Sequence, residues 1–201
     1  MGADFIRLIP KDKFASLNAD AFLPVDYMNG FVSGNFAIRS VDVQTEVEIQ
    51  VPRNGQNIDR RLDILLHVYM QKGDEEKMLP VILENKVKSH EHTDQTVDYH
   101  VWAEMAYADE EKFWKPIYVF LSPDKTGAMK EGRGRTCASP YFIKINYQYL
   151  VQYVIEPSLE RISRAEGRSF VRDYLRCLSY SNIYDERGRR EELVMARSRE
   201  G

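Results

Sequence analysis

Two apolar runs, "RRLDILLHVYM" (60–70) and "MLPVILENKV" (78–87), constrain the fold most. They flank the polar stretch "QKGDEEK" (71–77), whose Gly73-Asp74 centre reads as a hairpin turn. In both runs apolar residues fall at odd and even positions. Each strand should therefore be covered on both faces and lie inside a sheet. "IRSVDVQTEVEIQV" (38–51) instead alternates with period two, and places Val43, Thr45, Val47, Ile49 and Val51 on one face of a half-buried strand. The Asn-Gly of "PRNGQN" (52–57) turns the chain between this strand and the next.

Residues 93–108 read as a helix, with Thr93 as cap, Asp94 at its positive end and an apolar stripe of Val97, Val101, Met105 and Ala108. "KPIYVFLSP" (115–123) and "YFIKINY" (141–147) are a fourth and a fifth strand, separated by a loop rich in Gly, Lys and Arg (124–139). Helices are expected over about 147–165 and 168–180, and residues 11–33 look helical in part, with a break at Pro24. The end, "DERGRREELVMARSREG", is polar. This order describes an α/β protein, a mixed sheet flanked by helices. At 201 residues one domain is expected: a core over about 43–123, C-terminal helices over 147–180 and a polar tail over 185–201.

Composition excludes several classes. No run approaches the roughly 18 apolar residues that span a bilayer, and "MGADFIRLIPKDKF" holds no long apolar segment of a secretory signal. No membrane partner is expected. The two cysteines, Cys137 and Cys177, have no metal-ligand spacing, no disulfide framework is expected, and a reducing cytoplasm fits best. The net charge of −3 gives no overall basic field. Basic residues do cluster at 125–135 and from Arg161 to Arg190, and read as solvated faces or a locally basic groove.

The chemistry concentrates where the third strand ends in Glu84-Asn85-Lys86. A hairpin centred between Gly73 and Asp74 sets Asp63 directly across from Glu84, and opposed residues have Cβ atoms about 4.5–5.5 Å apart. Lys86, two residues on, shares the face of Glu84, with Arg61 as its expected cross-strand neighbour. Two carboxylates so placed repel, and either one takes a proton or a cation sits between them. A hard divalent ion takes oxygen ligands of this kind, and the main-chain carbonyl of Asn85 adds another. Lys86 would then orient a water or steady a phosphoryl group. Taken alone, Glu-x-Lys is a common tripeptide and reads as a solvated strand end with ordinary ion pairing; the upstream "RLDILL" and the downstream Gln95 and Tyr99 shift that reading.

The set "RRLDILL", then "PVILENKVKSHEHTDQTVDYHVWAEM", resembles the PD-(D/E)xK nuclease superfamily, in its bacterial branch with an R-x-D strand, an E-N-K strand and a Q-x-x-x-Y helix. The resemblance spans about 43–123, with a weaker continuation through "FIKINYQYLVQYV". It implies a restriction-endonuclease-like fold in which Asp63 and Glu84 ligate Mg²⁺ or Mn²⁺, Lys86 is the catalytic lysine, and Gln95 and Tyr99 face the site. Gln95 would bond Lys86 or the water, and Tyr99 would lie near a phosphate. Many members add an acidic residue from an N-terminal helix. Glu46, Glu48, Asp20 and Asp26 are the candidates here.

The expected function is metal-dependent endonuclease-like hydrolysis of DNA, in preference to RNA, in bacterial genome defence or DNA processing. Nucleases of this fold often pair to cut both strands, so a homodimer is open. The rival is a catalytically silent nucleic-acid-binding or assembly module on the same fold. A third reading is an unrelated α/β protein in which Asp63 and Glu84 lie far apart. Lys130, Arg133 and Arg135 are candidate contacts to a nucleic-acid backbone. "GAMKEGRGRT" (127–136) lacks the ending of a phosphate loop and is not read as one. His90, His92 and His100 have no cysteine partners and poor spacing for zinc. His67 reads as a satisfied sheet histidine on the Asp63 side, and Tyr147, Tyr149 and Tyr153 as core and rim.

Overall fold

A computed structural model describes residues 37–87, 94–122, 137–151 and 155–180. Strands β1 (Ala37–Arg53), β2 (Gln56–Lys72) and β3 (Glu75–Asn85) form an antiparallel meander. Helix α1 (Gln95–Ala106) then carries the chain to β4 (Ile117–Ser122), parallel to β3, and β5 (Ile143–Asn146) runs parallel to β4. Short helices α2 (Tyr147–Leu150) and α3 (Glu156–Leu159) precede α4 (Ala165–Tyr180). The mixed sheet has five strands in the order β1-β2-β3-β4-β5, so the fold is α/β and restriction-endonuclease-like. No helix among the described residues is long and apolar enough to cross a membrane.

The turns set the register. Asn54 and Gly55 both adopt positive φ, 52° and 79°, as a two-residue hairpin loop between Arg53 and Gln56 requires. Gly73, at φ 61°, closes the second hairpin between Lys72 and Glu75, and the β2–β3 pairs run without a slip to Ile64↔Leu83. That is the register expected from the turn.

Side chains divide between two cores. Leu66, Val68, Met70, Leu79, Val81, Val119, Leu121, Ile143 and Tyr147 pack on one face, with Val171 and Leu178 of α4 over them. Ile49, Val51, Leu62, Leu65, Ile82, Phe120, Tyr99 and Ala103 pack on the other, the face covered by α1.

Three expectations are corrected. Val43 does not share a face with Val47, Ile49 and Val51. Glu46 sits in mid-strand at φ 55°, a left-handed residue that swaps the faces of β1, and Val43 is exposed while the others face α1. Second, Val97, Val101 and Met105 are not the buried stripe of α1. Thr96, Tyr99 and Ala103 are buried, and Met105 is 62% exposed. Apolar residues occupy both sides of this helix, and hydrogen bonding of Thr96 and Tyr99 decides which side is enclosed. Third, the helix expected over 147–165 is represented by α2 and α3. Pro157 stands in the first turn of α3, where its missing N–H costs nothing, and α4 begins at Ala165 rather than at 168. The segment 11–33, Thr93 and the polar tail lie outside the described residues.

Candidate active site

The site is a fork between strands. β2 and β3 pair up to Ile64↔Leu83 and then part, while β3 continues along β4 through Glu84↔Phe120 and Asn85↔Leu121. Beyond the last β2–β3 pair, a side chain replaces the ladder: the Asn85 N–H donates to Asp63 Oδ2 at 2.7 Å. On its other edge, the Lys86 N–H donates to the Leu121 carbonyl at 2.9 Å. The break at Asp63 coincides with the left-handed Glu46, since the β1–β2 pairs are Thr45↔Ile64 and Val47↔Leu62. Leu62 and Leu65 both face α1 although their numbers differ in parity, so β2 swaps faces at Asp63 as β1 does at Glu46. Such left-handed non-glycine residues cost about 1–2 kcal/mol, and are kept where surrounding structure enforces them.

Glu84 and Lys86 project from β3 toward α1. Lys86 Nζ lies 2.5 Å from Glu84 Oε1 and donates to Gln95 Oε1 at 3.0 Å. Gln95 Nε2 donates in turn to the Tyr99 hydroxyl, which donates to the Arg61 carbonyl at 2.5 Å. The relay runs from β3 through α1 to the backbone of β2, two residues before Asp63. It fixes the orientation of the Gln95 amide and thereby the position of the ammonium. Gln95 and Tyr99, four apart, share the inner side of α1.

A charged clamp holds that helix in place. Asp98 Oδ2 accepts from Arg60 Nε at 2.8 Å and from Arg53 Nη1 at 3.2 Å, and Arg53 Nη2 reaches Asp94 Oδ2 at 3.2 Å. Asp98 is buried, so its charge needs these partners. Sequence reasoning missed this clamp. Its signal is the acidic pair Asp94/Asp98 at i, i+4, opposite arginines on two neighbouring strands.

The electrostatics follow from enclosure. Glu84 is fully buried, and burial pushes its carboxyl up to about 7. Contact with Lys86 opposes that shift and the neighbouring Asp63 adds to it. Apart from the close Lys86 contact, neither Glu84 oxygen has an aligned hydrogen bond among the described residues. Burial also raises the Tyr99 phenol, and the Glu84 charge raises it further. Two adjacent carboxylates, one of them fully buried, are a donor set that fits a hard divalent cation. Among the described residues no third acidic, histidine or cysteine side chain joins them.

Asp63, Glu84, Asn85, Lys86, Gln95 and Tyr99 are therefore brought together. Tyr99 is fully enclosed with its hydroxyl engaged inside the protein, so it supports the site from beneath instead of meeting a phosphate. Arg61 is not the cross-strand neighbour of Lys86. The face swap at Asp63 turns it away, and its Nε pairs with Glu46 Oε2 at 2.7 Å in an exposed bridge. Glu48 lies across from Arg61, and neither it nor Glu46 joins the two central carboxylates. His67 is a satisfied sheet histidine, 2.9 Å from the Tyr107 hydroxyl, and burial lowers its pKa. His100 stacks on Tyr141 with centroids 3.9 Å apart. Asp20, Asp26, His90, His92, Lys130, Arg133, Arg135 and Tyr153 lie outside the described residues, as does the Tyr149 side chain.

Comparison with known proteins gives one match. The family model of the PD-(D/E)XK nuclease superfamily matches residues 8–179. No curated protein and no solved structure matches at a significant level. Matched over most of its length and built on a mixed sheet of the corresponding fold, the chain belongs to the PD-(D/E)XK nuclease superfamily.

Proposed function

We propose that the protein is a metal-dependent nuclease that hydrolyses phosphodiester bonds in DNA. Asp63, Glu84 and the main-chain carbonyl of Asn85 would hold Mg²⁺ or Mn²⁺, and Lys86 is the catalytic residue. The supporting observation is the convergence of Asp63, Glu84 and Lys86 at the fork of β2 and β3, with Lys86 gripped by Gln95. Within a strand a residue's N–H and C=O leave by the same edge. The Asn85 carbonyl thus points to the edge where its N–H meets Asp63.

A bound divalent cation supplies charge neutralisation at the phosphate and a more acidic water. The chain's residues do the rest. The Lys86 ammonium, positioned by the Gln95–Tyr99 relay, hydrogen-bonds the attacking water or a phosphoryl oxygen as negative charge builds there. Enclosure of Glu84 lowers the local dielectric and strengthens both interactions. Endonucleolytic cleavage in bacterial genome defence or DNA processing is the role proposed by analogy with the superfamily.

The test compares wild type with Lys86→Met on plasmid, linear and single-stranded DNA and on RNA, with Mn²⁺ or Mg²⁺. Wild type should cleave DNA, and the variant should lose about 10²–10³-fold in rate while still binding metal. A variant that cleaves like wild type removes Lys86 from the chemistry. A folded wild type that binds DNA and metal and cuts nothing indicates a silent binding module.

A further inference from the structure

Asn85 stands between Glu84 and Lys86 in the chain but faces the other way. Alternation sends Ile82, Glu84 and Lys86 toward α1, and Leu83, Asn85 and Val87 toward the core on the opposite face. In that core lies Tyr147, 3% exposed, the first residue of α2. Its hydroxyl donates to Asn85 Oδ1 at 2.7 Å. The Asn85 N–H meanwhile donates to Asp63 Oδ2 at 2.7 Å, within the sheet plane at the fork. One residue thus joins a buried phenol on the far face to a carboxylate of the site.

The strand needs such a tether at this point. Past Ile64↔Leu83, β3 has lost β2 and, among the described residues, keeps β4 as its one ladder neighbour. A strand end paired on one edge can tilt about that edge, and tilting Asn85 would carry its N–H off Asp63 and re-aim its carbonyl. A tyrosine ring packed in a core has little freedom of its own. We propose that Tyr147 is a positioning residue: from the opposite face of the sheet it fixes the Asn85 peptide, and with it the Asp63 carboxylate and the Asn85 carbonyl. The consequence for metal and DNA rests on the proposed function; the mechanical part does not.

The test uses Tyr147→Phe, with Asn85→Ala as the variant that removes the acceptor instead of the donor. Hydrogen exchange of the residue 85 amide is read by NMR in metal-free protein, beside amides of β2 and β4. The tether predicts that exchange at residue 85 accelerates roughly tenfold in both variants while the reference amides hold. It also predicts Mn²⁺ affinity weaker by several-fold in Tyr147→Phe, with kcat on DNA reduced and KM unchanged. Exchange at residue 85 equal to wild type, or raised only in step with every other amide, overturns the proposal and leaves Tyr147 a core residue. Should Tyr147→Phe not fold, Asn85→Ala decides by the same readout. Wild type that neither binds Mn²⁺ nor cuts DNA would refute the proposed function, while the exchange result would still judge the tether.

Discussion

A carboxylate enclosed by protein ionises at a cost, and Glu84 carries that cost in the metal-free state. Its pKa rises from 4.5 to about 7, chiefly by burial. The folded form therefore favours the protonated acid, so stability is full below the unfolded pKa and is lost as pH rises through about 7. The shift corresponds to about 3 kcal/mol. Glu84→Gln, which keeps the shape and cannot ionise, should match wild type near pH 4.5 in chelating buffer. At pH 8 it should be more stable by about 3 kcal/mol, as read by denaturant unfolding at the two pH values. Equal stability at pH 8 would mean that Glu84 ionises there without penalty. A buried charge that weakens the fold has a chemical reason when a divalent cation relieves it. That is why this residue separates the nuclease reading from an ordinary strand end. The register that brings Asp63 near Glu84 was legible in the sequence, because a two-residue turn at Gly73-Asp74 leaves one, although the β2–β3 ladder itself ends one pair short of them. The Tyr147–Asn85 contact was not, since it joins residues 62 apart across a sheet face and has no local pattern.

At the scale of elements, β1 and β2 kink together. Glu46 at φ 55° lies opposite Asp63, and both strands exchange faces there. Apolar alternation continues unbroken through Val43, Thr45 and Val47, so periodicity carries no sign of the kink. Glu46→Gly should relieve left-handed strain and forfeit only an exposed bridge to Arg61, raising stability by about 0.5–1 kcal/mol in chemical denaturation. A loss of stability instead would place that strand in ordinary extended geometry. Helix α1 teaches a related lesson. Counting apolar residues selects Val97, Val101 and Met105, but the enclosed side carries Thr96, Asp98 and Tyr99, each tied by hydrogen bonds to distant segments. A polar residue with a buried partner outranks an exposed valine, and no single-sequence pattern shows the partner.

For the molecule as a whole, apolar runs and turn chemistry made the α/β class and the succession of strands along the chain readable, while kinks, clamps and the cross-sheet tether arise from tertiary contacts. Net charge of −3 provides no general attraction to nucleic acid, so the account rests on one local arrangement of two carboxylates and a lysine. The most direct measurement is a calorimetric titration of Mn²⁺ into wild type and into Asp63→Ala/Glu84→Ala, with plasmid cleavage followed on the same samples. The account predicts that wild type binds Mn²⁺ and cuts DNA and that the double variant, still folded, does neither. Wild type that binds no divalent cation, or a double variant that still cuts, would contradict it.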